Sequence, residues 1–369
     1  NIIITSPIEI DKYLTWIGLI NWIPFFWCFW AFQPYLENTA KRKRTIIYMI
    51  SGTVPIIISG LAQYFFNITG PWEFLYGMIT WYQRPLEITD GLTGPFNNAN
   101  YAGAWLAIFW PFLLAIFNKE SFNIKKIVTF VLIILFVISI LFTNSRNAWM
   151  GLLLTTPIVL GKRSFYWSFI VIIVLSFLIS TVYFSLVPPD LKEMIIKLLP
   201  YNFMSNFPDT TNQFNTEFPR LEIWKSSLSF IYSNPIIGWG GSSFPFLYQF
   251  EHDKWIGHAH NLPFEIAISY GILPSIFLTL FVTLLLFKSI NLEIKSPRIH
   301  FKNKSNDFIN KAWICSTTYL VLSHIIDIQY FDIRISLVSW ILLAGIKCSF
   351  SEASQKPPNK TTSIQIKLK

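Results

Sequence analysis

Charge is scarce in this chain of 369 residues. Asp, Glu, Lys and Arg together make up 13% of it, against roughly 25% in ordinary soluble domains. That shortage excludes a conventional water-soluble globular protein. Cysteine is scarce too. The three present, Cys28, Cys315 and Cys348, lie in or beside apolar runs and show no paired spacing. A disulfide framework and a cysteine-based zinc motif are therefore not indicated. The sequence also lacks a Walker-type phosphate loop, a GxSxG elbow, an EF-hand and a haem motif, so nothing supports a nucleotide-driven pump. There is no internal repeat.

What fills the space is apolar surface. Hydrophobic residues make up 53% of the chain and aromatic residues 18%. Residues 127–143 (IVTFVLIILFVISILFT) and 165–187 carry no charge, and each approaches or reaches the roughly 20 residues a helix needs to cross a bilayer. The composition predicts an all-α polytopic membrane protein. Spanning helices are expected at 13–33, 45–66, 101–117, 127–143, 148–161, 165–187, 262–287, 312–327 and 334–349, about nine in all, some short enough to imply tilt.

The connections between these segments alternate between two sides. One set (34–44, 118–126, 162–164, 288–311 and the tail from 347) holds 20 Lys and Arg against 5 Asp and Glu. The other set (1–12, 67–100, 144–147, 188–261 and the region 327–334) holds 9 against 14. KRKR at 41–44, NIKK at 123–126 and GKRS at 161–164 all fall in the first set. Under the positive-inside rule that set is cytoplasmic. The basic pI, near 9.3, is thereby read as a topology signal rather than as a sign of nucleic-acid binding. The N-terminus falls outside, an arrangement consistent with further helices upstream.

Four regions follow. Residues 1–187 form an N-terminal transmembrane bundle. Residues 188–261 form a large outer loop, 262–350 the C-terminal spanning helices, and 351–369 a polar tail with a disorder-prone composition. A long connection in a compact protein is usually functional. Within the large loop, LKEMIIKLL after Pro188 reads as a short interfacial helix, and 201–218 as irregular. PRLEIWKSSLSFIYSNP (219–235) reads as an amphipathic helix. Pro219 suits its first turn, Leu221, Trp224, Leu228 and Ile231 form its apolar stripe, and Asn234-Pro235 ends it. GWGG (238–241) follows as a tight turn.

Polar residues able to do chemistry gather on the outer side. Arg146 sits in a very short turn between two apolar helices (TNSRNAWMG). An Arg so near membrane depth needs a partner or a ligand, unless it only snorkels to the headgroups. Arg220 opens the amphipathic helix, where free N–H groups and the helix dipole favour an anion and a guanidinium fork grips two phosphate oxygens. Its bland alternative is a surface pair with Glu217 or Glu222. His260, in GHAHNLPFEIAISYG (257–271), offers a neutral imidazole suited to general-base work, or a polar helix entrance bonded to backbone. His258 and His260, with His252 and Asp253 nearby, also invite a metal reading, for which the spacing alone is thin support. Asn261 and Glu265 share one helix face. In GPFNNANYAG (94–103), Asn97, Asn98 and Asn100 suit capping and a place on the wall of an outer cavity. Arg84 and Asp90 are weaker candidates in the same loop. No chain of polar residues runs along the spans, as an ion path would require.

In order and spacing, these pieces resemble the O-antigen ligase and O-antigen polymerase family of bacterial envelope glycan enzymes. The matching stretches are GPFNNANYAG, NSRNAWMG, RLEIW with NPIIGWGGSSF, and HAHNLPFEIAISYG. The last is similar to the ligase pattern of His, a small polar residue, nine residues, then Gly: here His260, Asn261, residues 262–270 and Gly271. The resemblance covers roughly residues 90–290. It implies a membrane-embedded glycosyltransferase of the GT-C type in the bacterial inner membrane, with its large loop and active site facing the periplasm. The implied donor is a glycan on undecaprenyl diphosphate and the implied acceptor a lipid A-core sugar. Neither metal, nucleotide nor other cofactor is implied, and the expected contacts are membrane lipids and glycans rather than nucleic acid. By motif, Arg146 and Arg220 would bind the donor diphosphate and His260 would act on the acceptor hydroxyl, with His258, Asn261, Glu265, Asn100 and Arg84 as possible supports. Three rivals stay open: a polymerase joining lipid-linked repeats, a protein associated with inorganic-carbon transport, and a sugar-binding or assembly protein without catalysis.

Overall fold

The computed structural model describes residues 18–87, 90–119, 123–161, 219–295 and 304–355, with Trp16 and a few single positions between 164 and 188. Helices dominate. In chain order they are α1 (Ile23–Ala31), α2 (Thr39–Phe66), α3 (Ala99–Lys119), α4 (Ile124–Phe142), α5 (Arg146–Leu160), α6 (Pro219–Ser233), α7 (Phe244–His252), α8 (Leu262–Tyr270), α9 (Ile272–Lys295), α10 (Lys304–Ile326) and α11 (Ile333–Gln355). A two-stranded antiparallel hairpin, β1 (Trp72–Phe74) with β2 (Ile79–Trp81), pairs Trp72 with Trp81.

Five of the described helices are long and apolar enough to cross a membrane: Thr39–Phe66, Ala99–Asn118, Ile124–Phe142, Ile272–Ile294 and Ile333–Glu352. The expected nine is therefore too many for the described residues. α5 has only 15 residues, short of a bilayer's needs. α10 opens on the polar stretch KSNDFINK. The expected span at 165–187, the short helix after Pro188 and the irregular stretch 201–218 lie outside the described residues, except for single positions. Residues 262–287 are two helices rather than one, because the chain turns at Gly271. The polar tail begins later than expected, since α11 continues to Gln355.

α3 is the hub of the bundle. It packs most extensively against α10 and then α5, and Ala107, Ile108, Phe109 and Phe112 on it are completely buried. Glycines permit the closest approaches. A Cβ at Gly103 of α3 would lie 2.7 Å from Ser145 Cβ, and one at Gly151 of α5 would lie 2.5 Å from the Tyr319 ring of α10. The start of α5 is thus clamped against α3, which fixes where Arg146 emerges.

A second, smaller core lies at one end of the bundle, here termed the head. It joins α6, α7 and α8 through Ile223, Phe230, Phe244, Leu247 and Ile268. The expected apolar stripe of α6 is corrected here. Ile231 is buried, whereas Leu221 is 59% and Leu228 is 55% exposed. The buried side is shifted around the helix to Ile223, Ser226, Ser227 and Phe230, because α6 packs on α7 and α8 rather than lying free on a surface.

Candidate functional site

His260 is held in place by both its backbone and its ring. Its φ is +51°, a left-handed conformation uncommon for a residue with a Cβ and often found where function dictates geometry. Asn261 then caps α8: its side-chain oxygen accepts from Phe264 N–H at 3.0 Å, and its amide donates to the carbonyl of Ile325 at 3.0 Å. That second bond ties the start of α8 to the end of α10. One residue past α10 comes Asp327, 4% exposed, whose carboxylate meets His260 Nδ1 at 2.8 Å. Ile328 N–H also donates to that carboxylate, at 3.0 Å.

Burial by itself would raise the Asp327 carboxyl. The hydrogen bond from His260 and the charges of His260, His258 and Arg220 outweigh it, and the carboxyl is held below the usual range. An ionised carboxylate can only accept, so His260 Nδ1 carries the shared proton. Nε2 is left as the basic nitrogen, with a ring orientation set by Asp327.

His258 stands at a right-angled ring contact, 4.3 Å from His260, and its Nδ1 accepts from His260 N–H at 3.2 Å. Burial, then repulsion from His260, pushes the His258 imidazole down to about 4, so it is neutral at physiological pH. Glu265 is buried beneath this turn and accepts from Ala259 N–H at 2.8 Å. Burial pushes its carboxyl up to about 7. Its bond to Ala259 holds the His258–His260 turn.

The glycine at the end of the motif has a structural cause. Gly271 has φ +93°, and a Cβ there would collide with the Ile236 carbonyl. Across this contact Trp239 N–H donates to Ile268 C=O at 2.7 Å, Gly240 N–H to Ser269 C=O at 2.9 Å, and Ile272 N–H to Pro235 C=O at 2.8 Å. The NPIIGWGG turn therefore docks on the end of α8 through bare backbone. The two sequence motifs are two sides of one joint, which holds α6, and with it Arg220, beside His260.

Arg146, Arg220 and Asp327 open onto one cavity of about 1100 Å³. Asn100, Asn144 and Asn147 also line its head. Below them the walls are mainly apolar, from Met150, Leu154 and Ile158 on α5 and Ile314 and Leu322 on α10. Arg146 occupies the first turn of α5 and Arg220 that of α6, where helix N–H groups favour anions. Among the described residues neither makes an ion pair, and Arg220 is not bonded to Glu222. Glu217 lies outside the described residues.

The expected supports divide. Asn100 reaches the cavity. Asn98 caps α3, accepting from Asn100 N–H at 2.9 Å. Arg84 is not a lining residue: it pairs with Asp90 at 2.7 Å and donates to the Asn97 carbonyl at 3.2 Å, so it shapes its own loop. His252 is also elsewhere, 2.7 Å from the Ser226 hydroxyl. The residue that sequence reasoning missed is Asp327. The argument that singled out Arg146, a charge in a short turn between apolar helices, applies equally to Asp327 and would have found it. His258, His260 and Asp327 bring donor atoms within 4.8 Å of one another, a spacing that could receive a metal ion. The hydrogen bonds already joining them suit a proton relay equally well.

Fold and site together define a polytopic α-helical membrane protein with two arginines and Asp327 at the head of an apolar cavity and His260 bonded to that aspartate. Residues 129–279 match the family described as O-Antigen ligase, which supports an assignment to that family. The match supports a function of the O-antigen ligase or polymerase type. No curated protein matches the chain significantly. The matched stretch includes Arg146, Arg220, His258, His260 and Gly271. Asp327 lies beyond it and reaches the site through the fold alone.

Proposed function

We propose that this protein is a metal-independent membrane glycosyltransferase of GT-C type that moves a glycan from undecaprenyl diphosphate to a sugar hydroxyl, in the ligase case on a lipid A-core acceptor, at the periplasmic face of the bacterial inner membrane. The observation that carries the reading is that Arg146, Arg220 and Asp327 line the head of one large, mainly apolar cavity, and that Asp327 is bonded to His260 at 2.8 Å. Arg146 and Arg220 bind the donor diphosphate and stabilise the charge that develops as it leaves. The lipid chain lies along the cavity. His260 Nε2 takes the proton from the acceptor hydroxyl as its oxygen attacks the anomeric carbon. A glycosidic C–O bond forms, the C–O bond to phosphate breaks, and the diphosphate departs with both electrons, inverting the anomeric centre. Asp327 positions His260 and stabilises the imidazolium that results, without taking the proton itself.

Purified protein in lipid bilayers, given a lipid-diphosphate glycan and an acceptor, tests this. Removal of the imidazole in His260→Ala should lower transfer by about 100-fold or more, the usual scale for a general base. Arg146→Ala and Arg220→Ala should each lower it by a similar factor, as loss of one oxyanion-type contact does. All three should fold as the parent does. Full transfer by any of them removes that residue from the mechanism. Ligase and polymerase separate on the acceptor: a lipid A-core requirement identifies the first, and growth on lipid-linked repeats the second. The 4.8 Å cluster of His258, His260 and Asp327 supports a second reading, a metal-dependent transferase. Activity unchanged by a chelator excludes it; loss of activity restored by zinc favours it.

A further inference from the structure

The cavity is too long for a lipid that stays within one leaflet. Its head is marked by Asp327, just past the end of α10, and its foot by Lys311 near the other end of that helix, with Glu293 of α9 beside the foot. Sixteen residues of helix separate Asp327 from Lys311, about 24 Å at 1.5 Å per residue. A hydrocarbon core is about 30 Å thick, so one leaflet contributes about 15 Å. On α5 the lining likewise runs from Arg146 to Ile158, nearly the whole helix. Between the two charged ends the walls offer apolar side chains and a few hydroxyls.

We infer that this groove selects its donor by chain length. It takes a diphosphate whose single apolar chain crosses the bilayer midplane, and Glu293 and Lys311 mark where the chain turns out into lipid. The inference rests on the donor reading above and adds a specificity determinant to it. The occupant follows from the cavity itself. Two arginines stand at one end only, which suits an anionic head with one tail. The length exceeds one leaflet, which suits a long isoprenoid rather than a diacyl lipid. The charged foot opposes further apolar extension, because an apolar chain cannot replace the polar contacts such groups keep. The gain per added unit is modest, since the bilayer solvates the chain as well as the groove does and only packing distinguishes them.

The test uses the full-length protein in bilayers with synthetic polyprenyl diphosphate glycans of graded length. The ratio kcat/KM should rise by about tenfold, some 1.4 kcal/mol of packing, as the chain lengthens from about 15 Å to about 24 Å, and then stay level. Ile158→Trp, on the exposed face of α5 about 18 Å along the helix from Arg146, should bring the kcat/KM of long chains down to the short-chain value. Ile314→Trp on α10, about 20 Å from Asp327, should do the same from the opposite wall. A photoreactive group at the chain end should label residues near Ile290 and Ile314 with long donors and near Thr155 and Thr318 with short ones. Rates independent of chain length in the parent, or a length preference untouched by both tryptophans, would overturn the inference while leaving the donor reading intact. Absence of transfer by the parent with every donor would instead sink the donor reading. Long-chain ends that label only surface-facing residues would show that another segment of this chain fills the groove.

Discussion

Two polar clusters occupy opposite ends of the same helical bundle, and they use arginine in opposite ways. At the foot, Arg42 is completely buried. Its guanidinium donates to the Leu36 carbonyl at 3.0 Å, the Thr39 hydroxyl at 3.1 Å, Asn310 at 3.2 Å and the Glu352 carboxylate at 2.7 Å. The cluster joins the starts of α2 and α10 to the end of α11 and shuts the Arg42 side chain away from the surface. At the head, Arg146 and Arg220 face a cavity and pair with no described carboxylate. There the carboxylate, Asp327, is spent on a histidine. The contrast separates a charge held by fixed acceptors within the bundle from charges that open onto a cavity.

That contrast can be broken at several points. The largest effect is expected at the foot. Arg42→Ala would remove the guanidinium from Glu352, whose carboxylate also accepts from the Thr39 hydroxyl at 3.1 Å. A broken buried pair costs about 3–5 kcal/mol, and the partial exposure of Glu352 puts the loss at the lower end. Thermal unfolding in detergent should show a large drop in midpoint, and site chemistry should fail only because the protein unfolds.

At the head, Asp327→Asn keeps the shape but removes the carboxylate that orients His260. Transfer should fall by about 100-fold, or some 2.7 kcal/mol, with little change in unfolding midpoint. The pH profile of kcat should also move, because the imidazolium loses its partner. A purely structural Asp327 would lower stability and leave that profile in place.

Gly271→Ala tests the joint that carries Arg220. With φ at +93° and the Ile236 carbonyl in the way, overpacking should cost about 1–3 kcal/mol. Proteolysis of the α6–α7 region should speed up before the spanning helices yield. A smaller effect should appear with pH. The imidazole of His258 ordinarily titrates near 6.5 but only near 4 in the fold. Between those values the unfolded chain takes a proton that the fold resists, so stability declines as pH falls from about 6.5 to 4. Asp327 adds to the decline at still lower pH, as its depressed carboxyl is finally protonated. His258→Gln should flatten the upper part of that curve in a thermal-shift titration. The smallest effect is expected from Arg84→Ala. This partly exposed pair with Asp90 should contribute only about 0.2–1 kcal/mol, and transfer should be unchanged.

Much of the site was legible along the chain. Arg146 and Arg220 stood out because a charge beside an apolar run is costly, and His260 because its spacing to Gly271 resembles a known pattern. The same argument applied to Asp327, but its pairing with His260 was hidden by distance, 67 residues along the chain. Arg84 misled for the complementary reason. Its charge looked available in sequence, yet the fold closes it onto Asp90 and the Asn97 backbone. The helix boundaries failed where composition is ambiguous. Residues 262–287 are apolar throughout, and only the backbone geometry at Gly271 splits them into a short helix of the head and a spanning α9.

By itself the sequence determined the solvent this protein lives in. Bilayer insertion depends on summed apolar length and on where lysine and arginine fall, and both are properties of composition along the chain. The tertiary structure alone decided which charges are closed and which stay open, and it set the pairing of His260 with Asp327 and the 24 Å run of the groove. These depend on the packing of α3, α5 and α10 and on backbone meeting backbone at Gly271. Such contacts join residues that no local pattern links.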